Sequence, residues 1–386
     1  MRHRYIGVLA AGHLFTDINL SAVSALLPFL MEKHGIGYAA AAGLMFAMSM
    51  ASSIAQPLFG HFSDRLSKPW LMPAGILLAG LGIAFTGIAP NYWLIFLAVA
   101  ISGIGVAAFH PEAARLANVV SGKKKATGIS IFSVGGNAGF AVGPMFTTYS
   151  LLIWGLRGTL ILIVPAVIMV IVIMRYLSQF GAYQANPTKK GSDSVVTVED
   201  EWNPFARLTG IIACRSIIFY GLNTFIPLYW IRVLNQSKAA GGTALTILFS
   251  AGVVGTLIGG RLADHYGYRK TIQGGLAILI FFSVLFVLSE NVVLTTLLLI
   301  PIGLAHSAGY SPTIVLGQKY LPSRIGFASG VTLGLAVSIG GLAAPLLGWL
   351  ADHYGLRAVF VVTAGLPILA IAIAFILPNP KIDEKK

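Results

Sequence analysis

Phe109-His110-Pro111-Glu112-Ala113-Ala114-Arg115 closes an apolar run that carries no charge from Trp93 to Ala108. A histidine, a carboxylate and a guanidinium therefore share one apolar helix. An ionised side chain at the centre of a membrane helix costs roughly 2.5–3.5 kcal/mol on insertion scales, so such groups are paired or functional. Glu112 and Arg115 are three residues apart, on one helical face, and can pair. Pro111 removes a backbone donor and is expected to bend the helix, freeing a carbonyl beside the charges. Two readings follow: a structural ion pair that fixes helix packing, or a substrate and proton site.

The surrounding chain supports the membrane setting. Of its 386 residues 56% are hydrophobic and only 10% charged, where a soluble protein carries about 25% charge. Apolar stretches of about 20 residues, the length that crosses a bilayer, recur along it. One cysteine, Cys214, excludes an internal disulfide framework and a Cys-based zinc site. The first apolar run continues past Pro28 without a small-residue cleavage pattern, so it reads as the first helix and not as a cleaved leader.

Hydropathy places spans at 6–31, 39–63, 71–89, 92–118, 125–150 and 157–179, then 205–231, 241–263, 271–289, 293–318, 326–350 and 357–377. The fold class is thus an all-α membrane protein of about twelve transmembrane helices in two bundles of about six. The expected domains are 1–180, a cytoplasmic linker 181–203 marked by Lys189, Lys190 and the acidic run Glu199-Asp200-Glu201, and 204–386. Basic residues set the orientation. With both termini inside, Arg2, Arg4, Arg65, Lys123, Lys124, Lys125, Arg269 and Lys270 fall on the cytoplasmic side, against Lys33, Arg157, Arg232, Lys238 and Arg357 opposite. The net charge of +13 therefore reports topology and contact with anionic lipid, and argues against a nucleic-acid partner.

The halves repeat at an offset near 200 residues. Gly60-His61-Phe62-Ser63-Asp64 answers to Gly260-Arg261-Leu262-Ala263-Asp264, Pro28 to Pro227, Pro111 to Pro312 and Pro144 to Pro345. A further copy runs from Gly348 to Gly355 and echoes Gly260 to Gly267. Three-helix repeats nested in six-helix halves are one transporter architecture, with the substrate expected near the midplane between halves.

At these residues the chain resembles the major facilitator superfamily. Its loop signature stands as Gly60, Asp64, Arg65 and Lys68, with a second copy as Gly260, Asp264, Gly267, Arg269 and Lys270; Ser67 stands where the family often has glycine. Asp64 with Arg65, and Asp264 with Arg269, would form a cytoplasmic gate latching neighbouring helices, or else be solvated helix-end charges. Gly139-Phe140-Ala141-Val142-Gly143-Pro144 looks like the Gly-x-x-x-Gly-Pro motif associated with antiporters of that superfamily, and its small residues allow close helix approach. Gly103, Gly105 and Ala107 follow the helix-four pattern, but Val99 occupies its arginine position, so coupling through that arginine is not carried over. A narrower resemblance covers the first half. His13, Asp17 and Pro28, Ser52-Ser53, Gln56-Pro57, Pro69-Trp70, Phe109-His110-Pro111-Glu112 with Arg115, and Ser130-Ile131-Phe132 before Val134-Gly135-Gly136-Asn137 are similar to the fosmidomycin resistance protein family. That resemblance implies a drug efflux transporter of the bacterial inner membrane driven by proton entry, with a phosphonate antibiotic as nominal substrate.

Asp17 sits about 18 Å along the first helix at 1.5 Å per residue, near mid-membrane. A poorly solvated carboxyl there suits proton uptake and release, so Asp17 and Glu112 are the expected proton-coupling residues. Arg215, near the middle of helix seven, falls within one position of the repeat equivalent of Asp17. As a permanent cation it needs an anion nearby. Either Arg215 and Arg115 attract an anionic substrate group, or Arg215 neutralises Asp17 or Glu112. His110, His306, Asn137, Asn223 and Tyr310 complete the substrate-binding candidates, with His13 a further mid-span histidine that reads as packing. No metal site is expected, on the ground that no His/carboxylate pair at i, i+4 stands out.

The expected function is proton-coupled export of a small anionic or amphiphilic drug-like compound by alternating access, in a chain expected to be monomeric. The proton gradient supplies the energy and no cofactor is called for, since no Gly-x-x-x-x-Gly-Lys-Ser/Thr loop occurs. A proton-coupled importer of an organic anion is the alternative, because charge pattern does not encode direction. A membrane-embedded enzyme using His110 and Glu112, or a non-transporting receptor, are competitors of other classes.

Overall fold

The computed structural model describes residues 3–66, 68–122, 125–183 and 199–379. Among these residues the regular structure is helical and no strand occurs. The first half holds α1 (His3–His34), α2 (Tyr38–Leu66), α3 (Leu71–Thr86), α4 (Tyr92–Val120), α5 (Lys125–Trp154) and α6 (Ile163–Gly181). A 3-10 segment, Gly155–Leu162, leads into α6. The second half holds α7 (Trp202–Arg232), α8 (Lys238–Tyr266), α9 (Tyr268–Leu288), α10 (Val292–Ala308), α11 (Tyr310–Tyr320), α12 (Ile325–Gly330), α13 (Ala336–Tyr354) and α14 (Leu356–Phe375).

Every predicted span has its helix, and three are divided, the span 157–179 between the 3-10 segment and α6. The span 293–318 breaks at Gly309 into α10 and α11. Pro312 has no N–H for the Ala308 carbonyl, and its ring crowds that oxygen, so the α-helix stops just upstream. The span 326–350 becomes α12, a π-helical turn Val331–Leu335, and α13. Among the described residues nine segments are long and apolar enough to cross a membrane. One of them, Gly128–Gly181, contains both α5 and α6, and Leu71–Thr86 is a shorter apolar helix. The chain is a multi-pass membrane protein.

The chain divides into two compact units, Met1–Thr188 with Gln236–Thr246, and Lys189–Asn235 with Ile247–Lys386. Most of the linker expected at 181–203 lies outside the described residues.

In the first unit α1 packs along α5, and α4 is flanked by α2 and α3. Residues 21–31 of α1 are buried without a gap, the pattern of a helix enclosed on all sides. Glycines set its approach to α5: a Cβ on Gly139 would run into the Leu14 carbonyl oxygen, and one on Gly143 into Ser21 Oγ. Ile6, Leu9, Ile76, Phe109, Leu116 and Ile173 form the apolar core around it. Outward-facing Val164, Ile168, Ile171 and Met174 of α6 are exposed, as a lipid-contacting face requires.

In the second unit α7 packs against α13 and α14, and α9 against α14. The C-terminal end of α14 is clamped. Arg269 Nη2 donates to the Phe375 carbonyl (2.6 Å), Gln273 Nε2 to Ala374 (2.9 Å) and Arg207 Nη1 to Ile376 (2.9 Å). Tyr320 Oη donates to Pro378 (2.6 Å). These donors satisfy carbonyls that a helix end leaves unpaired, and two are cations at the negative end of the helix dipole. The sequence repeat reappears in backbone conformation. Gly267 (φ +92) and Gly355 (φ +82) make the α8–α9 and α13–α14 turns in a region open essentially to glycine alone. Ser67, the corresponding residue of the first copy, lies outside the described residues.

Candidate functional site

The i, i+4 spacing of His13 and Asp17 puts both on one face of α1, and α4 brings His110 to the same point. His13 Nε2 lies 3.3 Å from Asp17 Oδ2, and His110 Nε2 lies 3.2 Å from Asp17 Oδ1. The two imidazoles meet edge to face at 4.9 Å, and His13 stacks on Phe132 of α5 at 4.2 Å. Asp17 is 5% exposed. Gly136 of α5 closes the cluster: a Cβ there would strike His13 Nε2 and stand 2.7 Å from Asp17 Oδ2.

The other ring nitrogens fix the chemistry. His13 Nδ1 meets the Phe132 carbonyl at 2.9 Å, and His110 Nδ1 meets the Val106 carbonyl at 2.8 Å. A carbonyl oxygen only accepts, so both Nδ1 atoms carry hydrogen and a neutral ring presents a bare lone pair at Nε2. Lone pairs facing a carboxylate at these distances repel unless a cation lies between them. Asp17 Oδ1 accepts no well-formed hydrogen bond among the described residues. The cluster is therefore a cation acceptor: one shared proton on either Nε2 makes it neutral overall, and its loss leaves a net negative charge in a low-dielectric interior. The ligating atoms of His13, Asp17 and His110 all lie within 4.8 Å of one another, close enough to hold one metal ion. His13 and Asp17 form an i, i+4 His/carboxylate pair, against the expectation that no such pair stands out, and His13 belongs to the cluster beyond its packing on Phe132.

Glu112 and Arg115 do pair. Arg115 Nη2 donates to Glu112 Oε1 (2.5 Å) and Arg115 Nε to Oε2 (3.2 Å), a two-point fork. Glu112 is fully buried, so the fork compensates a charge that water cannot reach.

In the second unit the buried cation is Arg215, 8% exposed. Its Nη2 donates to the His306 carbonyl at 2.5 Å, near the end of α10 and the break at Gly309. The guanidinium thus caps the negative end of α10. Gly309 makes room, since a Cβ there would meet Arg215 Nη1. No carboxylate among the described residues lies within ion-pair distance of Arg215. The His306 ring stacks on Phe219 at 6.1 Å, and its Nδ1 has no hydrogen-bond partner among the described residues. Tyr310, half-exposed, opens α11 within electrostatic reach of Arg215.

His306 and Val106 stand at an offset of 200 residues, corresponding places in the two repeats. Both carbonyls accept from a side chain, His110 in one unit and Arg215 in the other. Proline follows each, Pro111 and Pro312.

The remaining candidates are dispersed. Asn223 is buried and its Oδ1 has no partner among the described residues. Asn137 is half-buried on α5 beside Gly136. Asp264 is exposed, and Arg269 is engaged by α14 rather than by Asp264. The side chains of Asp64 and Arg65 lie outside the described ones.

Two bundles of membrane-spanning helices, one holding a buried cation acceptor and the other a buried cation, define a carrier of small molecules. The chain belongs to the Major Facilitator Superfamily, whose model matches residues 9–345. It is a transporter and not an enzyme. It is 28% identical over 383 residues to the fosmidomycin resistance protein of Escherichia coli strain K12, covering 97% of this chain and 93% of that protein. It is 29% identical over 384 residues to the uncharacterized MFS-type transporter YfnC of Bacillus subtilis strain 168, covering 98% and 93%. The multidrug resistance protein MdtG of Escherichia coli strain 55989 is 25% identical over 379 residues, covering 92% and 90%. Among solved structures, a bacterial homolog of the human lysosomal transporter Spinster superposes with a TM-score of 0.82 at 16% identity, covering 98% of this chain and 97% of that one.

Proposed function

We propose that the chain exports a small anionic or amphiphilic drug-like compound, of the fosmidomycin kind, in exchange for protons, by alternating access. It would do so in the bacterial inner membrane, with both termini cytoplasmic and the proton gradient as energy source. The observation that carries the proton half is the His13–Asp17–His110 cluster, whose two Nε2 atoms face one buried carboxylate. The similarity to the fosmidomycin resistance protein and to MdtG supports the drug half.

The chemistry needs few parts. A proton between His110 and Asp17 attracts both and holds α4 to α1; its release turns that contact repulsive. Proton occupancy is thereby tied to helix packing. Other ionisable groups on the packed helices are few. The described residues of α3 carry none, α6 has Arg175 and Tyr176 near its end, α5 has Lys125 at its start and Tyr149 beyond its middle, and α2 has Tyr38 at its start and His61, Asp64 and Arg65 near its end. Glu112 and Arg115 lie on the next stretch of α4 and compensate each other, so we assign them the structural role and Asp17 with its imidazoles the proton. Arg215 supplies a fixed positive charge for a phosphonate or carboxylate.

The test is flux in proteoliposomes under an imposed pH gradient, with a panel that includes fosmidomycin and a neutral amphiphile. Drug and protons moving in opposite directions support the reading. Gradient-driven movement in the same direction as protons makes the chain an importer, and drug flux indifferent to the gradient overturns proton coupling.

A further inference from the structure

The cluster has the form of a metal site as well as of a proton site. Around a tetrahedral zinc ion, ligand bonds of about 2.0–2.2 Å set neighbouring donor atoms about 3.4 Å apart. The N···O separations here are 3.3 Å from His13 to Asp17 Oδ2 and 3.2 Å from His110 to Asp17 Oδ1, and one donor atom from each residue lies within 4.8 Å of the other two. Metal-binding histidines almost always give their second ring N–H to a carbonyl or carboxylate, which aims the free lone pair at the ion. Both His13 and His110 do this, through Phe132 and Val106. The third donor, Asp17, is buried with Oδ1 lacking a hydrogen bond among the described residues. On the α5 side Gly136 leaves open the volume that a Cβ would fill, next to two of the three ligands.

We propose that His13 Nε2, His110 Nε2 and the Asp17 carboxylate bind one borderline divalent transition-metal ion of the Zn2+, Co2+ or Ni2+ class, in place of the shared proton. Two imidazoles and one carboxylate suit these ions and disfavour Mg2+ and Ca2+, which prefer oxygen donors. Three protein ligands leave the fourth position of a tetrahedral site to water or to an oxygen of a transported molecule. Because metal and proton use the same lone pairs, the bound ion blocks any proton exchange at the cluster. The site rests on donor geometry alone. Metal binding to detergent-solubilised protein needs no gradient and no drug, so its outcome and that of the flux assay are separable.

The experiment is a titration of the full chain, purified through a histidine-free affinity tag, with CoCl2 followed by visible absorption and with ZnCl2 followed by calorimetry. Expected are about one equivalent per chain and a tetrahedral Co2+ spectrum. Affinity should fall by about a hundredfold in His13→Ala, His110→Ala and Asp17→Asn, and stay unchanged in His265→Ala, an exposed histidine of the second unit. Zn2+ should raise the unfolding temperature of the wild type and leave that of each cluster variant where it was, which separates a lost ligand from a lost fold. An absent Co2+ spectrum, or binding that persists at full affinity in all three cluster variants, overturns the proposal.

Discussion

Asp17 Oδ1 and His110 Nε2 stand 3.2 Å apart on two different helices, with the second nitrogen of His110 already committed to the Val106 carbonyl. Neither atom then has a proton of its own to offer in the uncharged state. On the proposed reading a cation makes the contact, which would join occupancy to the meeting of α1 with α4.

Asp17→Asn keeps the shape and removes the charge that retains the proton. Gradient-driven drug flux should fall about tenfold or more, the scale of one lost hydrogen bond to a charged group. Drug–drug exchange across proteoliposomes without a gradient should persist. Coupled flux at wild-type rate in this variant would remove Asp17 from the mechanism.

Glu112→Gln leaves the half-buried Arg115 beside an uncharged partner. Breaking one half of a buried pair costs about 3–5 kcal/mol, whereas replacing both halves by apolar residues is often neutral. Thermal unfolding in detergent should show Glu112→Gln strongly destabilised and Glu112→Leu/Arg115→Met close to wild type. Equal destabilisation of the two would show that the pair does more than compensate itself.

Arg215→Gln should raise the KM of an anionic substrate about tenfold or more, and change that of a neutral amphiphile little. Loss of both to the same degree would assign Arg215 wholly to capping α10.

Gly139→Ala and Gly7→Ala make opposite predictions from one chemical change. A Cβ at Gly7 meets nothing within 4 Å, so the lower backbone entropy of alanine should stabilise by up to about 0.5–1 kcal/mol. A Cβ at Gly139 strikes α1, and such overpacking costs about 1–3 kcal/mol. The unfolding temperatures of the two variants should move in opposite directions.

The spans were legible because each is a long apolar run, and the two-fold plan because Pro28, Gly60, Asp64 and Pro111 recur at a common offset. Glu112 with Arg115 was legible too, since both partners lie on one helix. The partnership of His13 with Asp17 is equally local, one turn apart on α1. What no spacing could show is His110 arriving from α4, or the Phe132 carbonyl setting the His13 tautomer from 119 residues away. Matching prolines also had different effects. α4 runs through Pro111, whereas α10 and α11 part before Pro312. Asp264 and Arg269 read as partners along the chain, yet the guanidinium donates to the Phe375 carbonyl of α14.

The carbonyls of Val106 and His306 mark one repeated position met in two ways. One half of the molecule meets it with a base whose charge follows the acidity of its surroundings. The other meets it with a charge that no physiological acidity alters. A repeated scaffold thus carries a buried imidazole–carboxylate cluster in one half and a buried guanidinium in the other.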